Sequence, residues 1–187
     1  MLEVNGIEAD NIQYYIFHLF MDARELLNCV EQFIFLTKDE NWNEVEKIYE
    51  NYNNLFSATI SGIRYEIIVG TTKLSDTNGN AISVPNFFNY CWKLGNDNFK
   101  EKIRKFKTEL KEYNKLLKDI QTIRNKIYAH TDFKFNAVEV DKFGECMLEQ
   151  TQLEELKDYL KLVIKICLEM NKLHKNGEMR IDLISIY

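Results

Sequence analysis

Apolar residues recur at three- and four-residue steps along most of the chain, the period of helices that each bury one face. From about residue 8 to 37 the stripe is Ile12, Tyr15, Ile16, Leu19, Phe20, Ala23, Leu26, Leu27, Val30 and Phe33. A second segment starts near Asn41 or Asn43 and runs to about Lys73, with Val45, Ile48, Tyr52, Leu55, Phe56, Ile60, Ile63 and Ile67 on its apolar face. SDTNGNAIS then breaks the pattern, and Asn78-Gly79 marks a tight turn because both residues tolerate positive φ. Ser83 is placed to cap a short third helix that carries Pro85 in its first turn and ends after about Lys93, before Gly95 and Asn96.

The fourth segment is predicted to be the longest helix, about Asp97 to His130, with a heptad-type seam of Ile103, Phe106, Leu110, Tyr113, Leu117 and Ile120. The fifth opens at Thr151 and Glu154, read as a capping box. Its seam is Leu153, Leu156, Leu160, Val163, Cys167 and Met170, and it ends before Gly177. FKFNAVEV and the tail MRIDLISIY alternate imperfectly and can pair as a small extended ribbon near the C-terminus. The predicted architecture is all-α: a bundle of four long helices plus a short one, forming a single domain over 1–187.

Composition agrees with long helices: 187 residues contain one Pro and seven Gly, and twelve Phe and ten Tyr supply a bulky core. A net charge of −5 is the wrong sign for a protein that coats nucleic acid non-specifically. Cys29, Cys91, Cys146 and Cys167 show no CxxC spacing, which points to reduced thiols and a cytoplasmic chain. The start MLEVNGIEADN does not resemble a signal peptide, and the most apolar windows all carry charges, so no membrane association is expected. No His, Cys and carboxylate cluster has metal-ligand spacing, so neither metal nor other cofactor is expected.

One stretch departs from the pattern. Extending the fourth seam by its own rule places positions 124 and 127 inward. Residue 127 is Ile, but residue 124 is Arg. A buried guanidinium is costly unless something pairs with it. His130 lies six residues on, about 120° around the axis and roughly 9 Å along it. The two side chains meet only if the helix ends or tightens near Ala129, or if a second copy supplies the partner.

The stretch RNKIYAH, with Arg124, Asn125 and His130, resembles the signature of the HEPN superfamily, in which a polar residue follows an arginine and a histidine comes shortly after. IRYEIIVGTTKLSD, followed by a turn-rich loop, is similar to the abortive-infection branch, and the resemblance covers about residues 8–175. It implies a helical bundle that pairs two-fold, bringing two motifs into one cleft, and a metal-independent endoribonuclease, often a toxin in phage defence. His130 would act as general base or acid at the ribose 2′-OH and the 5′-O leaving group. Arg124 would stabilise charge on the scissile phosphate, and Asn125 would orient either group. Imidazole and guanidinium chemistry suit these roles. Some members carry a Tyr two positions after the His that a partner nucleotidyltransferase modifies. Here the residue is Asp132, so that control is not expected, and nothing in the sequence names an antitoxin.

The structural alternative has Arg124 paired with a carboxylate from another helix, such as a Glu of the second segment, and His130 capping its own helix end. His18 reads as a packed helix residue and His174 as a helix C-terminus. Lys100, Arg104, Lys107, Lys111, Lys115 and Lys118 recur at three- and four-residue steps, either as a solvated face balanced by Glu101, Glu109 and Glu112 or as a track for an RNA backbone. No aromatic-rich sheet for base stacking is evident. Two functions follow: a homodimeric HEPN-type ribonuclease acting on RNA in phage defence, or a non-catalytic helical module that binds RNA, a nucleotide or a protein partner.

Overall fold

The first apolar stripe forms helix α1, Asp10–Thr37, which buries Ile12, Ile16, Leu19, Phe20, Ala23, Leu26, Val30 and Phe33. The computed structural model describes the backbone of residues 10–93, 97–131 and 148–174, with the side chains of 12–93, 97, 100–126 and 148–173. Every regular element among them is helical, and the fold is all-α. The two segments read as a ribbon lie outside the described residues.

A 3₁₀ turn at Asp39–Asn41 leads into α2, Trp42–Leu74. Only part of the predicted stripe of α2 is buried. Val45 and Ile67 are, whereas Ile48, Tyr52 and Leu55 are 51%, 62% and 66% exposed. The helix is interrupted between Ile48 and Leu55 at Tyr52, whose φ of −139° and ψ of 39° leave the helical region. Residues before and after that break no longer share the 100° phase that the stripe assumed.

The break after α2 is a turn. Ala81 N–H donates to Asn78 O at 2.9 Å, and Asn78 N–H donates to Asp76 Oδ1 at 2.9 Å. Gly79 does not use the left-handed region, and the side chains of Asp76 and Asn78 accept from the turn's own amides, Asn78 N–H at 2.9 Å and Asn80 N–H at 3.3 Å. Helix α3, Val84–Lys93, starts as predicted: Ser83 Oγ accepts from Asn86 N–H at 3.4 Å and donates to Asp76 O at 2.6 Å.

The predicted fourth helix is two helices. A 3₁₀ turn at Lys111–Tyr113 separates α4, Asp97–Leu110, from α5, Asn114–Thr131. Three residues at about 120° each, instead of about 100°, advance the phase by roughly 60°. The inward position therefore falls early. Ile103 and Phe106 are buried as expected, but in α5 Leu116 is buried and Leu117 only half-buried. Helix α6, Gln150–His174, buries its whole predicted seam. Its cap lies two residues before the predicted one. Glu149 O accepts from Leu153 N–H at 3.0 Å, and Gln152 Oε1 accepts from Glu149 N–H at 3.0 Å, so Gln152 fills the role assigned to Glu154.

The chain divides into two compact units. Unit one holds α1 through Glu25, the end of α2 from Lys73 with the loop after it, α3, α4 and α6 from Tyr159. Its core is aromatic, with Phe20, Phe87, Phe88, Phe106 and Tyr159 all fully buried. Lys73 Nζ bonds Asp22 Oδ2 at 2.8 Å within it. Unit two holds α1 from Leu26, α2 to Thr72, α5 and α6 through Asp158. There α1 and α2 pack at Gly70: a Cβ added to this glycine would stand 2.5 Å from Leu26 Cδ2. No helix among the described residues is long and apolar enough to cross a membrane.

Candidate functional site

Arg124 continues the buried row of α5 at four-residue steps: Leu116 and Ile120 are buried, and Arg124 follows one turn on. Its side chain is half-buried, with Nε shielded from solvent, and it is engaged in an interaction within the structure. The next two residues, Asn125 and Lys126, are exposed. The sequence-based placement of Arg124 on an inward face thus holds although the long seam that suggested it is interrupted.

Helix α5 runs on through Ala129 and His130 to Thr131. Positions 124 and 130 are therefore set about 120° apart and roughly 9 Å along one unbroken helix. The side chain of His130 and all of Asp132 lie outside the described residues, so the structure carries Arg124 and Asn125 of the motif as side chains and His130 as a backbone position.

The six basic residues do not form one helix stripe. Lys100, Arg104 and Lys107 lie on α4, Lys111 in the 3₁₀ turn, and Lys115 and Lys118 on α5, with the first four in unit one and the last two in unit two. All but Lys100 are exposed. Sequence reasoning missed what stands beside the first three. Trp92, in the last turn of α3, is 40% exposed. Lys100 Nζ, Arg104 Cζ and Lys107 Nζ lie 5.8, 5.2 and 5.9 Å from its ring centroid. The legible signal was the break read at Gly95 and Asn96, which allows the end of one helix to fold beside the start of the next. In the structure α3 packs against α4.

The other side of α4 is neutralised by α6. Lys102 Nζ bonds Glu169 Oε2 at 2.9 Å, and Lys165 Nζ bonds Glu109 Oε2 at 3.5 Å. The hydrogen bond from Lys102, and then its charge, hold the Glu169 carboxyl below the usual carboxylate range. The same hydrogen bond raises Lys102. Burial pushes the Cys91 thiol up to about 12 and Cys167 higher still, so neither is a thiolate at neutral pH. His18 is half-buried, with its ring centroid 4.1 Å from that of Tyr14, a packed helix residue as expected. Among the described residues no three His, Cys, Asp or Glu side chains converge in a way that could hold a metal ion.

A family model described as AbiU2, an abortive-infection-related HEPN family, matches residues 17–184, a span that contains Arg124, Asn125 and His130. No curated protein and no solved structure matches the chain.

Proposed function

The chain belongs to the AbiU2 family of HEPN domains, and from that premise we propose that it is a metal-independent endoribonuclease that acts as a homodimer in phage defence. The observation that carries the reading is Arg124, a charged side chain half-buried on the inward row of α5, with Asn125 exposed beside it and His130 on the same helix. The ribose 2′-OH attacks phosphorus while His130 accepts its proton. The bond to the 5′-oxygen breaks, and imidazolium returns a proton to that oxygen. The products are a cyclic phosphate and a 5′-hydroxyl. Arg124 offsets charge growing on the phosphate oxygens, and Asn125 orients the phosphate or the imidazole.

Homodimerisation is supported by helix geometry. An unbroken α5 holds positions 124 and 130 apart within one chain, so a complete Arg/His pair draws on two copies. Exposed Ile48, Tyr52 and Leu55 on α2 add apolar surface of the kind that marks association. The half-burial and engagement of Arg124 favour a second reading, a non-catalytic helical module in which the arginine stabilises the fold. Expressing the wild type and His130→Ala side by side, while scoring growth and RNA integrity with and without phage, separates the two. Growth arrest and RNA cleavage by the wild type alone support the ribonuclease. If wild type and variant behave alike, the module reading stands.

A further inference from the structure

We infer that Trp92, with Lys100, Arg104 and Lys107, forms a binding surface for single-stranded RNA, in which a base stacks on the indole and the flanking phosphates lie on the three cations. The inference extends the ribonuclease reading by giving the substrate strand a place on unit one, and it rests on that reading for the choice of RNA.

Charge makes the first argument. Positions 100, 104 and 107 span only about 60° of the α4 surface, opposite positions 102 and 109. On the far side Lys102 bonds Glu169, and Glu109 takes Lys165 from α6. On the near side the one ion pair of Lys100 among the described residues is a loose one with Asp97 at 3.9 Å, whose carboxylate is 98% exposed. Arg104 and Lys107 form no ion pair among the described residues. Three cations within 6 Å of one ring repel one another, and an arriving polyanion relieves that repulsion. A chain of net charge −5 thus concentrates positive charge in one place.

Shape makes the second. A tryptophan left 40% exposed keeps ring surface for another planar partner. Aromatic faces stack unpaired bases of any sequence, whereas a duplex keeps its bases stacked on each other. An acidic protein segment would satisfy the cations but would leave the indole without a planar partner.

The test uses the full chain with Trp42→Phe, which leaves Trp92 as the sole tryptophan, and His130→Ala to block cleavage. A uridine 12-mer, an RNA duplex of equal length and polyglutamate are titrated while indole emission is followed. The single strand is expected to quench Trp92 and to bind more tightly than either competitor, with affinity falling as salt rises. Trp92→Ala, read by fluorescence anisotropy of a labelled strand, is expected to weaken binding at least about fivefold. Arg104→Glu with Lys107→Glu is expected to weaken it about tenfold or more and to flatten the salt dependence. These last two side chains are exposed, so the charge variant carries the test if Trp92→Ala fails to fold. Absent quenching, equal affinity for the duplex or for polyglutamate, or unchanged affinity in the charge variant overturns the inference. Binding through Trp92 by a chain that cuts no RNA keeps it and removes the ribonuclease reading. Cleavage with unchanged KM in Trp92→Ala does the reverse.

Discussion

Lys102 Nζ donates to Glu169 Oε2 at 2.9 Å, tying α4 to α6 within unit one. Two residues further along α4, Arg104 has no such partner among the described residues and lies 5.2 Å from the Trp92 ring centroid. One helix therefore carries a neutralised side and an electropositive side, and each has its own test.

The neutralised side is a matter of pH. Glu169 is lowered in the folded chain, so its contribution is present above the ordinary carboxylate range and is lost as pH falls through its folded value. Lys102 is raised, so its contribution is present below the ordinary lysine range and is lost as pH rises through its folded value. Glu169→Gln should melt lower than wild type near neutral pH, and the two melting curves should converge in acid. An equally large gap in acid would show that packing, and not charge, explains the difference.

Thiol reactivity should follow burial. Cys91, pushed up to about 12, and Cys167, pushed higher, should resist alkylation of the native chain, while half-buried Cys29 reacts before either of them. Mass spectrometry of timed iodoacetamide reactions reads the order, and denaturant should abolish it. Labelling of Cys91 as fast as Cys29 in the native chain would contradict the packing described.

Gly70→Ala should destabilise, although alanine is the better helix former by about 1 kcal/mol. The new methyl would meet the buried Leu26 side chain at 2.5 Å, and overpacking of this kind costs about 1–3 kcal/mol. Urea unfolding should give a lower midpoint. Adding Leu26→Ala should cost less than the sum of the two single changes, because the methyl then has room. A raised midpoint in Gly70→Ala alone would mean that the helices part there without cost.

Arg124→Lys separates catalysis from structure. The charge remains, but the planar fork that fits phosphate oxygens is lost. If Arg124 acts on the transition state, cleavage should fall roughly 10²-fold with little change in melting. If it holds the fold, stability should fall by about 1–3 kcal/mol while cleavage per folded molecule stays level. Both are read on one preparation.

Mixing tests whether two copies complete the site. Arg124→Ala and His130→Ala should each be inactive alone. If the arginine and histidine come from different chains, coexpression rebuilds one site in every mixed dimer, restoring roughly a quarter of the activity after random pairing. Activity should also survive a chelator. No recovery in demonstrably mixed dimers would place both groups of each site on one chain.

Features that depend on near neighbours were legible in the amino-acid order alone. Helical periods place α1, α3 and the seam of α6, and Ser83 starts α3 because an N-cap needs only the amides two or three residues on. The same reasoning located Arg124 on an inward row, since a four-residue step from Ile120 is a local property of α5. Tertiary structure decided the rest. Tyr52 and the 3₁₀ turn at Lys111–Tyr113 reset the helical phase, and periodicity cannot show that a helix departs from its own period. Hence Leu55 is exposed despite its apolar pattern, and Leu116 is buried in place of Leu117. The grouping of Trp92 with Arg104 was also settled only there, because cation–aromatic attraction acts through space over a few ångströms, between residues twelve apart in the chain that the packing of α3 on α4 brings together.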